Sequence, residues 1–233
     1  MLMKSLGRNA GRRRHGASGF SLSELMIVLT VIIIMSSFAV MSLRPLLAQQ
    51  HVTNAYNTVL GAMRQARDNS IAQSTSYQVT FANNASAPST ITVTPTQTGG
   101  NAFQGDQGTY TYTLPSDVTF LAQAGLPSTA ATVPDGYGAG ATAIDLGYTA
   151  NGGSGGSNTI YFCPDGSAQT LACASGGYST TGGYALSWSG GVVYIGQTGN
   201  ILSSRAFTVW GGTGRIHGWR LYYTGGVYQW QRQ

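Results

Sequence analysis

Gly19-Phe-Ser-Leu-Ser-Glu-Leu-Met-Ile-Val-Leu-Thr-Val-Ile-Ile-Ile-Met-Ser-Ser-Phe-Ala-Val-Met-Ser-Leu43 is the stretch that decides the fold. From Leu25 to Leu43 it carries no charge. At 1.5 Å per residue a helix of that length reaches roughly 28 Å, close to the hydrocarbon thickness of a bilayer. Lys4, Arg8, Arg12, Arg13 and Arg14 precede it, and only Arg44 follows it closely. This asymmetry places the N-terminus in the cytoplasm and the remainder outside. A cleaved secretory signal has a shorter apolar region with small residues at the cut, whereas here the run is long and Leu46-Leu47-Ala48 is a poor cleavage site.

Beyond the run the helical pattern continues. Val52, Tyr56, Val59, Leu60, Met63 and Ile71 recur at three- and four-residue spacing, which predicts an amphipathic helix with one buried face. Pro45 predicts a kink or a local melt between the two halves. Arg64, Arg67 and Asp68 fall off the apolar face and read as solvated, as does His51.

After Thr75 the period changes to two. Alternating or β-branched and aromatic runs predict strands over 77–81, 90–94, 109–114, 118–121, 159–162, 184–188, 192–195, 206–210, 216–223 and 227–230, divided by Gly, Asn, Asp and Pro. Residues 97–108 and 122–158, rich in Gly, Ala, Thr and Ser, read as surface loops or insertions of one domain. The fold class is α+β: a long N-terminal helix, transmembrane then amphipathic, packed on an antiparallel β-rich head.

Composition supports an extracytoplasmic β-rich domain. Only 8% of residues are charged, against roughly 25% in ordinary soluble chains, and 33 of 233 are glycine. These values exclude a coiled coil and an acidic disordered chain. The formal net charge is +5 and the isoelectric point about 9.4. Five of the basic residues lie before Phe20, and residues 20–233 hold seven Arg and seven acids, so the basicity belongs to the N-terminal segment. It is no evidence that the whole chain holds nucleic acid.

The junction Gly19-Phe20-Ser21-Leu22-Ser23-Glu24-Leu25 resembles the processing signal of type IV prepilins and type II secretion pseudopilins. Farther on, Asn158-Thr-Ile-Tyr-Phe-Cys-Pro-Asp-Gly-Ser167, Gly199-Asn-Ile-Leu-Ser-Ser-Arg-Ala-Phe-Thr-Val209 and Gly214-Arg215-Ile216 resemble segments of the GspH/FimT family of minor pilins and pseudopilins. The resemblance covers residues 19–80 and 158–220. It implies cleavage by a prepilin peptidase between Gly19 and Phe20, N-methylation of Phe20, and a Glu24 that pairs with the amine of Phe20 on a neighbouring subunit during assembly. It also implies a non-catalytic subunit of a pilus or secretion pseudopilus, held in the inner membrane with a periplasmic head, its partners being other pilins. The organisation that follows is a leader over 1–19, a transmembrane helix over 20–45, an amphipathic helix over 46–75 and the head over 76–233. A different class, an anchored binding module for sugars or surfaces, is favoured by the Tyr and Trp content.

Cys163 and Cys173 are the two cysteines. In an oxidising extracytoplasmic compartment a disulfide is expected, closing a loop of about ten residues and contributing roughly 2–3 kcal/mol. Free thiols are the other reading; a zinc site lacks further Cys or clustered His. No catalytic constellation, metal set or cofactor motif stands out. Gly152-Gly-Ser154-Gly-Gly156 matches a nucleophile elbow only in letters, since it lies in low-complexity sequence. Asp106, Asp117, Asp135, Asp145 and Asp165 are scattered singly.

One charge asymmetry remains. After Asp165 there is no acid, while Arg205, Arg215, Arg220 and Arg232 follow among Trp210, Trp219, Tyr222, Tyr223 and Trp230. FimT-type minor pilins, which this region resembles, hold DNA through a Gly-Arg-x-Arg motif. Gly214-Arg215-Ile216 matches it, and His217 stands where the second Arg would be. The resemblance therefore makes Arg215, His217 and Arg220 a candidate basic edge for DNA phosphates.

Overall fold

The computed structural model describes residues 19–83, 88–96, 108–138, 142–149, 155–173 and 189–233. The chain divides into two compact units, Met1–Arg44 and Pro45–Gln233. One helix, α1 (Leu22–Ala72, 51 residues), contributes to both. It is continuous through Pro45, without the local melt that was one of the two expected outcomes there. A proline removes one i→i−4 hydrogen bond, and the neighbouring turns carry the helix past that gap.

The first unit is the apolar part of α1. Leu22–Ser42 has a mean hydropathy of 2.5, none of it is buried within the chain, and it is long and apolar enough to cross a membrane. Three of its hydroxyls are bonded to carbonyls of the helix itself. Thr30 Oγ1 donates to the Ile27 carbonyl at 2.7 Å, Ser37 Oγ to Ile33 at 2.8 Å and Ser42 Oγ to Ala39 at 3.0 Å. A span in hydrocarbon needs this internal satisfaction.

In the second unit the buried side of α1 is built from Val52, Ala55, Tyr56, Val59, Ala62, Met63 and Ala66. The expected positions Val52, Tyr56, Val59 and Met63 are buried, and Leu60 is partly so. Ile71 is instead 44% exposed; the alanines at 55, 62 and 66 complete the stripe and let the helix come close to its neighbours. Ser74 ends the helix in the left-handed region at φ 50, with Thr75 N donating to the Ser70 carbonyl at 3.2 Å.

Among the described residues ten strands follow: β1 (Ser76–Ala82), β2 (Thr90–Thr96), β3 (Tyr110–Thr113), β4 (Ile144–Thr149), β5 (Thr159–Phe162), β6 (Ala168–Gln169), β7 (Ser189–Gln197), β8 (Asn200–Trp210), β9 (Arg215–Thr224) and β10 (Val227–Arg232). They make two antiparallel five-stranded sheets, ordered β3-β2-β1-β5-β6 and β10-β9-β8-β7-β4. The α+β class with an N-terminal apolar helix is thus observed. Alternation on β1 points Tyr77, Val79 and Phe81 inward, beside Ile91 and Val93 of β2. Val193, Ile195, Phe207 and Val209 of the second sheet join them and the helix stripe in one core. A smaller cluster, Leu126, Val192, Tyr194, Ala206 and Leu221, lies on the other side of the second sheet. Burying each large aliphatic in such a core is worth about 1.5–3 kcal/mol.

Three sequence expectations need correction. The stretch 122–158, read as loop, contains β4, which closes one edge of the second sheet. The strand expected over 118–121 is a single bridge, Thr119 to Gly196, held short by the turns on either side of it. The two-residue β6 had no signal of its own. The strand expected over 184–188 and the whole of 97–107 lie outside the described residues.

Candidate functional site

At the N-terminal junction, Gly19 and Phe20 precede the helix and both are exposed, Phe20 at 79%. Ser21 supplies the carbonyl that accepts from Leu25 N at 3.1 Å, and Glu24 stands in the first turn of α1. A carboxylate there faces the unpaired N–H groups of the helix start, where negative charge is favoured. The same turn begins the apolar span, so the one acid sits at its edge, where its cost in hydrocarbon is least.

Cys163 and Cys173 form a disulfide, with Cα atoms 5.7 Å apart. The turn it closes is set by Asp165, whose Oδ1 accepts from Ser167 N at 2.9 Å and Ser167 Oγ at 2.6 Å. Ser70 Oγ donates to the Cys163 carbonyl at 3.2 Å, so the bridged turn is tied to the end of α1.

The three residues of the candidate DNA edge are not brought together. β8 and β9 pair in unbroken register from Arg205–Arg220 to Trp210–Arg215. Residues five apart on such a strand point to opposite faces, so Arg215 and Arg220 diverge. His217 lies between them with its side chain 12% exposed. Its Nδ1 donates to Asp135 Oδ2 at 2.9 Å. Asp135 Oδ2 also accepts from Trp210 Nε1 at 3.1 Å and from Thr208 Oγ1. Thr208 Oγ1 in turn accepts from Trp219 Nε1 at 3.1 Å. His217 is therefore a largely buried member of a hydrogen-bonded cluster rather than part of an open edge.

Arg215 has other company. It lines an open cleft of about 350 Å³ with Arg64 and Arg67 of the helix and Arg232 of β10. Asp68 is the acid among the lining residues, 3.8 Å from Arg67 Nη1. Arg67 Nε and Nη2 both donate to the Thr213 carbonyl, at 3.2 and 3.0 Å, which fixes that guanidinium beside the β8–β9 turn. Helical periodicity read Arg64 and Arg67 as solvated; their approach to Arg215 is a tertiary fact that the local pattern does not carry. Arg220 stacks its guanidinium over the Tyr222 ring, 5.1 Å from the centroid, and lines a different cleft together with Arg205.

His51 is exposed, as expected, and its Nδ1 lies 3.0 Å from Asp117 Oδ2. One further correction concerns an acid. Asp135, read as one of several scattered acids, accepts hydrogen bonds from three side chains. The available signal was Val133-Pro-Asp-Gly136, a turn sequence in which Asp tolerates the left-handed φ of 50 that it adopts. Among the described residues no group of three or more His, Cys, Asp or Glu is placed to hold a metal. The letters of the nucleophile elbow fall at 152–156, and 150–154 lie outside the described residues. Comparison with protein-family models, curated proteins and solved structures finds no match to this chain.

Proposed function

We propose that the chain is a filament subunit of the type IV pilin and pseudopilin class, of the GspH/FimT kind that its motifs resemble, and has no catalytic role. It is made as a prepilin, cut between Gly19 and Phe20 by a prepilin peptidase, and methylated at Phe20. Its apolar helix passes first through the inner membrane and then into the packed interior of a type II secretion pseudopilus or a type IV pilus. The observation that supports this most is Leu22–Ser42, a fully exposed apolar helical segment with Glu24 in its first turn and Gly19-Phe20 just before it. A helix with every apolar residue uncovered needs lipid or other copies of itself around it.

The test is the mature N-terminus and the behaviour of Glu24→Ala. Mass spectrometry of the purified protein is expected to find N-methyl-Phe20 as the first residue; intact Met1 or a start at Gln49 excludes this reading. Glu24→Ala is expected to be cleaved and inserted as the parent is, and to be lost from filaments. Assembly equal to the parent would show that the carboxylate has no part in subunit pairing.

A second reading, DNA binding by a minor pilin, is favoured by one observation, the four guanidinium groups of Arg64, Arg67, Arg215 and Arg232 around one cleft. On this reading the contact surface is that cleft, not the Arg215–His217–Arg220 edge. Three or four phosphate contacts give a slope of log affinity against log salt of roughly −3 to −4 on duplex DNA. A gel shift of the full chain in detergent at low salt is expected to be lost in the Arg64→Ala, Arg215→Ala double variant and kept in Arg220→Ala. An equal shift in the double variant, or none in the parent, removes the DNA role.

A further inference from the structure

We propose that Arg205 and Arg220 form a binding site for a phosphate oxyanion, and that its occupant is the headgroup of an anionic phospholipid. Arg205 is 8% exposed, an unusual place for a guanidinium, and among the described residues no carboxylate pairs with it or with Arg220. Its Nη1 donates to three carbonyls of its own strand, Leu202, Ser203 and Ser204, at 3.3, 3.2 and 3.1 Å. Carbonyl dipoles hold the group in place but do not neutralise it. Among the described residues Nε and Nη2 have no hydrogen-bond partner, which leaves the fork of donors that matches a phosphate or carboxylate.

The register then places Arg220 directly opposite Arg205 on the neighbouring strand. Like charges at opposed positions of an antiparallel pair are destabilising. Burial first, and the charge of Arg220 next, push the Arg205 pKa down against smaller upward pulls from Tyr222 and Tyr56, and no described acid offsets the pair. An anion between the two groups removes both penalties. The space exists: both line an open cleft of about 350 Å³, whose walls also include Gln49, Thr53, Asn200 and Ser203. These add neutral polar groups and no acid, the composition expected around an oxyanion rather than a cation.

The place of the cleft along the chain favours a lipid source. Gln49, on its wall, comes seven residues after Ser42, the last residue of the apolar span. Only six residues separate them in the sequence, so the wall of the cleft begins close to the point at which the chain leaves the span. The lipid half of the proposal rests on the reading of Leu22–Ser42 as a membrane span; the oxyanion half does not.

The experiment is thermal unfolding of the full chain in detergent micelles. One arm adds inorganic phosphate against chloride at equal ionic strength. The other dopes the micelles with phosphatidylglycerol or with phosphatidylcholine. At about five times Kd the parent is expected to gain roughly 2–4 °C in Tm with phosphatidylglycerol and nothing with phosphatidylcholine. Arg220→Ala, exposed and so no threat to folding, is expected to lose the response and to melt no lower than the parent without ligand, because it relieves the repulsion on Arg205. A gain with inorganic phosphate but no difference between the two lipids keeps the oxyanion site and overturns the headgroup as occupant. No gain with any addition, or an equal gain in Arg220→Ala, overturns the site, and Arg205 is then a structural clamp on its own strand.

Discussion

Replacing Asp135 by asparagine is expected to lower stability by about 2–3 kcal/mol at neutral pH, and the loss is expected to shrink as pH falls below about 4. One oxygen, Oδ2, accepts from the Thr208 hydroxyl, the Trp210 indole and the His217 ring, and it does so with the carboxyl side chain 12% exposed. Hydrogen bonds to a charged acceptor contribute about 1.5–3 kcal/mol each before the cost of desolvation is set against them. Asparagine is the informative change because it tolerates the left-handed φ of 50 at this position, so the backbone turn is kept and only the charge is lost. Burial on its own raises the Asp135 pKa, but the hydrogen bonds from Thr208, His217 and Trp210 outweigh it and hold the carboxyl below its ordinary value. A depressed carboxyl stabilises the fold fully above the unfolded value, near 4, and that contribution is lost as pH falls through the folded value. The parent therefore weakens in acid where the asparagine variant does not. Urea unfolding at pH 7, 5 and 3, followed by the fluorescence of Trp210 and Trp219, measures the gap. A gap that stays constant with pH would show that the charge of Asp135 contributes nothing.

The parts of the fold that the sequence made legible are those set by local periodicity. Val52, Tyr56, Val59 and Met63 repeat at helical spacing and are buried; Tyr77, Val79 and Phe81 alternate and point inward. Val192-Val-Tyr-Ile195 reads as strand for a different reason. β7 is covered on both faces, with Val193 and Ile195 in the main core and Val192 and Tyr194 in the smaller cluster, so it is apolar throughout. β4 was illegible because its sequence, Ile144-Asp-Leu-Gly-Tyr-Thr149, carries an acid and a glycine among flanking Gly and Ala. Asp145 is buried with the Tyr148 hydroxyl donating to its Oδ2 at 2.7 Å, and the strand is bulged between Leu146 and Tyr148. Neither feature has a periodic signature. The site residues divide in the same way. Gly19, Phe20 and Glu24 are contiguous and could be found in the sequence as a motif. The cleft of Arg64, Arg67, Arg215 and Arg232, and the Asp135 cluster, join residues roughly 75 to 170 positions apart, which only the sheet register and the packing of α1 bring together.

Gly218→Ala is expected to destabilise the β-rich unit by about 3 kcal/mol or more, and Tyr56→Phe is expected to recover most of that loss. Gly218 lies on β9 opposite Phe207, where the second sheet meets α1. A Cβ there would fall on Tyr56 Oη and lie 3.1 Å from Tyr56 Cζ, with Leu60 Cδ2 at 3.9 Å. Its φ is not in the left-handed region, so the cost is steric rather than conformational. Tyr56 is 4% exposed and its ring is held within the helix stripe, which leaves it no open direction in which to turn. Among the described residues its hydroxyl is buried without a partner, and burial pushes its pKa up. Tyr56→Phe alone is therefore expected to be neutral or mildly stabilising, since it removes an unsatisfied polar group with little change of shape. In Gly218→Ala it also clears the atom on which the new methyl would fall. The double-mutant cycle should give a coupling of about 1 kcal/mol or more in favour of the pair. It is measured by urea unfolding of the parent, both single variants and the double variant. A cost for Gly218→Ala of only a few tenths of a kcal/mol, or a double variant no better than Gly218→Ala alone, would mean that the helix does not approach β9 as closely as this packing requires.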